Sequence, residues 1–525
     1  MNAAAASPAE HTYANPWLVA LVVSIATFME VLDTTITNVS LTHIAGNLGA
    51  SPDESTWVLT SYLVANGIVL PISGWLANTM GRKRFFLLCI AGFTASSFAC
   101  GAAESLDMLV FLRLIQGLCG GGLQPTQQSI VLDAFPPEKR GAVFGITGIT
   151  LIAAPIIGPT LGGWITDNFS WRWIFFINVP VGTIAFLLVS RVVHESKGTG
   201  FKSIDYIGLS LVAIGLGCLQ VVLDKGQQKD WFDSAFIDTL LAVSATCLLS
   251  AIFWLLRQKD PVIDLRLLKE RSFGVACLLI FFTGFALYGS SALLPLLVQS
   301  QFGYDATLAG LILSPGGVAV IVLMPISGKL ISKIPAKYLV MFGFTLCAIG
   351  MWATSFVTPQ TDYNHFVWMR ILQVLGLPFL FIPVSTLAFM KIPKPKNNKA
   401  SAFFALCRNL GGSIGIAIAA SYVSRHQQMH QNYLSQHMNP SDPVYQFNLH
   451  RIAQYFINQG STQAQALQQA TGRLYQEFLG QVTILAYNDA YQFLTLVMII
   501  GIGLASLLPI NRPKQPSSDA AAAAH

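Results

Sequence analysis

Glu30 and Asp33 lie three residues apart inside Trp17 to Leu41, a run long and apolar enough to cross a bilayer. A charge at such a depth costs about 2.5 kcal/mol or more. The i,i+3 spacing places both carboxylates on one helix face, which Thr34, Thr37 and Asn38 extend. A titratable polar stripe is costly for a membrane anchor. It suits a helix that lines a water-filled path and moves protons. The alternative is a structural carboxylate held by a basic partner. A candidate partner stands in a later apolar run, where Arg113 is followed by Gln116, Gly120, Gln124 and Gln127 at helical spacing. A buried guanidinium needs an acceptor: Asp33, Glu30 or backbone carbonyls of the first run. Burial disfavours an ionised carboxylate and a nearby arginine favours it. If rocking of two halves changed the distance to Arg113, a proton would be taken up in one state and released in the other. A purely structural ion pair would leave the same trace.

These residues need membrane helices to position them. The chain is 53% hydrophobic and only 11% charged, against about 25% charged in soluble domains. Apolar runs of span length fall near 17–41, 56–77, 85–103, 108–131, 141–165, 173–193, 204–223, 236–256, 273–298, 306–328, 337–357, 365–390, 400–422 and 490–510. The expected architecture is an all-α membrane protein with fourteen transmembrane helices. Of the 31 Lys and Arg, 22 lie in loops after even-numbered spans or in the tail, and 6 after odd-numbered spans. This asymmetry sets both termini as cytoplasmic. It also accounts for the net charge of +6 without a nucleic-acid partner. The eight cysteines sit in apolar runs and read as small membrane-core residues. No basic stretch precedes span 1, so it is expected to remain rather than be cleaved.

An internal repeat organises the spans. Pro71-Ile72-Ser73-Gly74 closes span 2 and Pro325-Ile326-Ser327-Gly328 closes span 10. Arg113-x-x-Gln116 in span 4 returns as Arg370-x-x-Gln373 in span 12. The two offsets nearly agree, which predicts a duplicated six-helix unit around a central cavity, with spans 7 and 8 inserted between the copies. The expected parts are a cytoplasmic N-terminus (1–16), a first bundle (17–193), the inserted pair (204–256), a second bundle (273–510) with an external loop (423–489), and a cytoplasmic tail (511–525).

Several motifs carry a family resemblance. Leu32-Asp33-Thr34-Thr35-Ile36-Thr37-Asn38-Val39 is similar to the helix 1 signature of drug:proton antiporters. Gly74-Trp75-Leu76-Ala77-Asn78-Thr79-Met80-Gly81-Arg82-Lys83-Arg84 resembles the loop motif after helix 2, with Asn78 where that motif usually has an acidic residue. Leu109-x-x-x-Arg113-x-x-Gln116-Gly117 resembles the helix 4 motif. Gly148, Pro155, Gly158, Pro159, Gly162 and Gly163 follow the antiporter motif of helix 5. Trp171-Arg172-Trp173-Ile174-Phe175-Phe176-Ile177-Asn178-Val179-Pro180, Leu223-Asp224-x-Gly226 and Leu410-Gly411-Gly412-Ser413-Ile414-Gly415 extend the match. The chain thus resembles the major facilitator superfamily, and within it the fourteen-helix drug:proton antiporters of the EmrB/QacA type. Glu30 stands where such proteins often have an uncharged residue.

The resemblance implies a major facilitator fold and proton-coupled export of hydrophobic or amphiphilic drugs from the inner membrane, driven by the proton gradient without a cofactor. Asp33, Glu30 and Arg113 are the expected coupling residues. Gly74, Gly81, Arg82 and the helix 5 glycines and prolines are expected to gate. An aromatic wall of Phe281, Phe285 and Tyr288 with the amides Gln124, Gln128 and Gln373, together with Thr34, Asn38 and Gln116, would suit bulky apolar substrates. Such stripes also occur as plain membrane core. The Gln-rich stretch 425–489 carries two amphipathic patterns, Leu449/Ile452/Ala453/Phe456 and Leu467/Ala470/Leu474/Phe478, the second after a capping-box pattern at Thr462 and Gln465. It reads as a lid or as a docking surface. The resemblance implies a periplasmic membrane-fusion adaptor like EmrA and a TolC-like outer-membrane channel as partners. A dedicated exporter of an endogenous metabolite, such as a siderophore or fatty acid, is the competing reading. No HExxH, GxSxG or phosphate-loop pattern supports an enzyme, and the histidines of the long loop lie in a polar stretch rather than at metal-ligand spacing.

Overall fold

The computed structural model describes residues 15–136, 139–196, 198, 200, 205–259, 261–436, 438–439 and 441–509. The terminal segments, together with Lys197, Lys202, Ile204, His437, Arg512 and Lys514, lie outside the described residues.

Among the described residues fourteen helices or helix pairs have span length: α1 (Pro16–Val39), α2 (Trp57–Met80), α3 (Arg82–Gly101), α4 (Leu106–Ala134), α5 (Arg140–Asn168), α6 (Trp173–Val192), α7 (Tyr206–Lys225), α8 (Ala235–Arg257), α9 (Arg271–Phe302), α10 (Ala306–Leu330), α11 (Ala336–Thr354), α12 (Tyr363–Ala388), α13 (Asn397–Ser435) and α14 (Gln463–Ala505). Thirteen pass as single spans; α5 does so when its two limbs, bent by 42° beside Pro155, count as one. Local chemistry fixes the ends. Asn15 caps α1 by accepting from the backbone of Trp17 and Leu18, with Pro16 in the first turn. Gly81 ends α2 at φ +90, a conformation that favours glycine.

Helices α1–α6 form one bundle and α9–α14 the other, joined by long contacts of α5 with α10 and of α2 with α13. The inserted α7 and α8 pack on each other, and α7 packs on α2 and touches α13. Most of α8 remains exposed, as lipid contact demands. The repeat is visible in the backbone. Helix α4 breaks at Gly121 and Gly122, just past Arg113-x-x-Gln116; α12 breaks at Leu375 and Gly376, just past Arg370-x-x-Gln373.

The long loop differs from expectation. Span 13 continues as one helix to Ser435, and span 14 begins at Gln463 rather than near residue 490. At 1.5 Å per residue the 43-residue α14 is about 65 Å long, roughly twice the hydrocarbon thickness. The second amphipathic stripe is therefore the outer part of α14, not a separate helix. Its capping box is formed: Thr462 Oγ1 accepts from the Gln465 amide and Gln465 Oε1 from the Thr462 amide. The first stripe forms a helix, Pro443–Asn458, whose Leu449 and Ala453 pack on Ala466 and Ala470.

Candidate functional site

Asp33 is 1% exposed, in the C-terminal half of α1. Its Oδ2 accepts from Arg113 Nη1 at 2.5 Å, and its Oδ1 from Asn178 Nδ2 at 2.6 Å and Gln116 Nε2 at 3.2 Å. Arg113 also donates from Nη1 to Gln116 Oε1 (2.8 Å) and from Nε to the Val58 carbonyl (3.2 Å), while its guanidinium lies 4.3 Å from the Tyr62 ring centre. Asn178 reaches Ser97 Oγ at 3.0 Å. The carboxylate is thus held by donors from α4 and α6, with charge balanced by one arginine.

Glu30, one turn away and 3% exposed, has a separate set of partners. Oε1 accepts from Tyr62 Oη and Asn66 Nδ2, each at 3.1 Å, and Oε2 from Gln124 Nε2 at 2.7 Å. Gln124 Oε1 in turn accepts from Arg408 Nη2 of α13. Arg113 therefore pairs with Asp33, and Glu30 is linked to Arg408 through an amide.

This division changes the coupling picture. Asp33, Arg113, Gln116 and Asn178 all belong to the first bundle, so rigid rocking of the bundles leaves their distances unchanged. The expectation that rocking alters the Arg113 distance is corrected on this point. The Glu30–Gln124–Arg408 chain crosses from one bundle to the other, and rocking must stretch or break it.

Glu30 faces a cleft between the bundles, shared with Thr34, Tyr62, Asn66, Gln124 and Tyr288. The inserted helix α7 adds Leu216 and Gln220, and Gln220 Oε1 accepts from Ser413 Oγ of α13 at 3.1 Å. Other expected cavity residues lie elsewhere. Asn38 is exposed near the end of α1. Gln116 is spent in the Asp33 network. Phe281 and Phe285 pack at the α9–α13 contact, where Gly411 and Gly415 meet their backbones, and Phe285 also touches Phe493. Gln373 is tied to Arg370 (3.1 Å) and Thr354 (2.8 Å). Gln128 lines a second, smaller pocket with Gln124. An i,i+3 or i,i+4 pattern shows which residues share a face, and neighbouring helices decide whether that face meets a cleft or another helix.

The two bundles keep the same polar design with different charge. Arg370 donates to Ser290 at 3.3 Å, Ser291 at 2.7 Å and Gln373. Ser290 precedes Arg370 by the same interval that separates Asp33 from Arg113, so a hydroxyl stands where the first bundle has its carboxylate.

The expected gating residues fall at close contacts. A Cβ on Gly158 would run into Thr35, and one on Gly162 would lie 3.0 Å from Ile36 Cγ2, so these glycines let α5 lie against α1. Gly148 meets Met324 of α10; Gly163 faces Thr307 more loosely; Pro155 borders the cleft and Pro159 lies within α5. At the face where α1 begins and α14 ends, Asn398 of α13 accepts from Arg82 Nε at 2.7 Å and from Ser129, and donates to Asn78. Arg82 also pairs with Asp133, and Gly74 meets the backbone of Asn398. The bundles are latched at this face. Asn78 supplies an amide oxygen as acceptor where the loop motif usually has a carboxylate.

Tyr62, Asn66, Gln220 and Arg408 are not singled out by the sequence, and Asn178 enters there only within the Trp171–Pro180 motif. Arg408 had a signal, being one of three basic residues inside a span. Among the described residues there is no group of three or more metal-ligating side chains.

Two bundles with a carboxylate–arginine pair buried beside a central cleft define a major facilitator transporter. The Major Facilitator Superfamily profile matches residues 23–416, and the chain belongs to this family. Within it, the chain is 39% identical over 486 residues to the multidrug export protein EmrB of Haemophilus influenzae, covering 92% of this chain and 94% of that protein. It is 38% identical over 491 residues to EmrB of Escherichia coli (93% and 94%), and 37% identical over 452 residues to the fatty acid resistance protein FarB of Neisseria gonorrhoeae (86% and 88%). It is thus of the EmrB type. Among solved structures, a double-tryptophan mutant of XylE aligns with a TM-score of 0.61 at 13% identity, covering 94% of this chain and 96% of that one. That likeness concerns the fold.

Proposed function

We propose that this protein is a proton-coupled multidrug efflux antiporter, exporting hydrophobic or amphiphilic toxic compounds by alternating access. The observation that carries this reading is the placement of two carboxylates, Glu30 at the cleft wall and Asp33 directly behind it. The relatives named multidrug export proteins match nearly end to end and support the substrate class. In the mechanism, Asp33 and Arg113 hold a proton-exchangeable centre inside the first bundle, and Glu30 senses the second bundle through Gln124 and Arg408. Protonation removes a negative charge that would otherwise have to be solvated while the cleft changes sides. The face where α1 begins and α14 ends is cytoplasmic on the basic-residue asymmetry, and the long α13–α14 extensions are periplasmic. There they would meet a membrane-fusion adaptor, making this chain the inner-membrane part of a tripartite pump.

The test is drug-driven proton release from purified protein in liposomes, with wild type compared to Asp33→Asn. Wild type should release protons when drug is added, and the variant should show no export against a gradient. Wild-type pumping by Asp33→Asn would refute the assignment. The similarity to a fatty acid resistance protein keeps a second reading in play, export of one endogenous acid; competition among chemically unrelated substrates separates the two.

A further inference from the structure

The motif Leu223-Asp224-x-Gly226, with Asp230-Trp231 a turn later, closes α7 and opens the connection to α8. The coupling site makes no use of it. Its residues join the two bundles instead. Toward the first bundle, Asp224 Oδ2 accepts from Thr60 Oγ1 of α2. Lys225 Nζ donates to Thr56 Oγ1 and lies 4.9 Å from the Trp57 ring centre. Toward the second bundle, Trp231 Nε1 donates to Ser421 Oγ of α13 at 2.9 Å, and shares that proton with Gln227 Oε1 at 3.1 Å. The indole ring rests on Gly226, where a Cβ would lie 2.7 Å from Trp231 Cζ3. The Trp231 amide donates to the Gly226 carbonyl at 2.8 Å.

The backbone of this turn is strained. Among the described residues, Asp230 (φ +56) and Trp231 (φ +49) are the non-glycine positions with positive φ. A bulky side chain in that region is costly and persists only where its surroundings hold it. Here the indole bond to Ser421 and the packing on Gly226 do so. The turn also stands at a joint. Helix α7 lies along the edge of the Glu30 cleft between α2 and α13, where it contributes Leu216 and Gln220. Among the described residues, two hydrogen bonds cross from α7 and its turn to α13: Gln220 with Ser413 at 3.1 Å, and Trp231 with Ser421 two helical turns further out. We propose that the turn 226–233 is a strap that holds this edge of the cleft shut at its outer end, with Trp231 as the positioning residue that fastens it. The first bundle carries the strap and the second carries its catch. Outward opening must therefore undo the Trp231–Ser421 bond, and undoing it frees two strained residues. The strain offsets part of the bond, so the strap closes the edge and can still release it. The transport consequence rests on the alternating-access reading above.

The experiment measures distances by double electron–electron resonance on full-length protein in nanodiscs, without drug or proton gradient. Spin labels carried on unnatural amino acids replace the exposed Lys229 of the strap and Asn432 of α13, so the native cysteines stay in place. Wild type should show a short, fastened population and a longer one. Trp231→Phe keeps a ring on Gly226 but loses the donor, and Ser421→Ala loses the acceptor. Each should lower the ratio of short to long about fivefold, the scale of one hydrogen bond. The double variant should lower it no further, because both changes remove the same bond. Asp230→Gly eases the backbone and leaves both ends of the bond intact, so it should raise the ratio about twofold or more. A merely structural role would not give this opposite sign. An unchanged ratio in Ser421→Ala overturns the proposal, as do additive losses in the double variant or a lowered ratio in Asp230→Gly. Failed proton-driven export in the liposome assay, with this pattern intact, would refute the efflux reading alone.

Discussion

Replacing Glu30 by glutamine isolates the charge at the cleft wall. Consider a cation seated in the cleft about 6 Å from the Glu30 carboxylate, beyond direct contact. At an effective dielectric constant of about 20, the attraction is about 2.8 kcal/mol. Arg408, behind Gln124, opposes it, and halving the figure as a lower bound gives about 1.4 kcal/mol. Glutamine keeps the side-chain length and one acceptor for Tyr62 or Asn66, so the packing of α1 on α2 and α4 should survive. The expected result is a loss of about 10- to 100-fold in affinity for naphthylethylammonium, with naphthylethanol within about threefold. Calorimetry on purified protein in nanodiscs provides the readout, and the unfolding midpoint checks integrity. Equal losses for charged and neutral probes would show that Glu30 acts through cleft shape, and the electrostatic reasoning would fail.

Arg113→Lys keeps a positive charge but cannot bridge Asp33, Gln116 and the Val58 carbonyl together; drug-driven proton release should fall at least about tenfold, and a fully active variant would show that charge alone suffices. Gly158→Val would drive a side chain into Thr35 and push α5 from α1, so export should be lost with a lowered unfolding midpoint; an active, equally stable variant would remove the close-approach argument. Cysteines at the exposed positions Gln463 and Gln469 should label from the periplasm and cross-link to a co-expressed adaptor. Cytoplasmic labelling would overturn the orientation. Periplasmic labelling without cross-links, in a loop removable without loss of resistance, would eliminate the partner.

The sequence by itself determined the features that depend on local order. Fourteen apolar runs, the Glu30/Asp33 face, the Thr462–Gln465 capping box and the paired Arg-x-x-Gln repeats all follow from hydropathy and helical period, which involve neighbours along the chain. It also narrowed the partner of Arg113 to Asp33, Glu30 or the backbone. The tertiary structure decided among these, because two carboxylates one turn apart point to different neighbours once α2, α4, α6 and α13 are packed around them. Asp33 meets Arg113 and Asn178 within one bundle, whereas Glu30 reaches Arg408 across two. The same cause removed Phe281, Phe285 and Gln373 from the cleft and brought in Gln220 from the inserted helix. Periodicity assigns a residue to a face; only the neighbouring helix determines whether that face is a wall, a joint or an open surface.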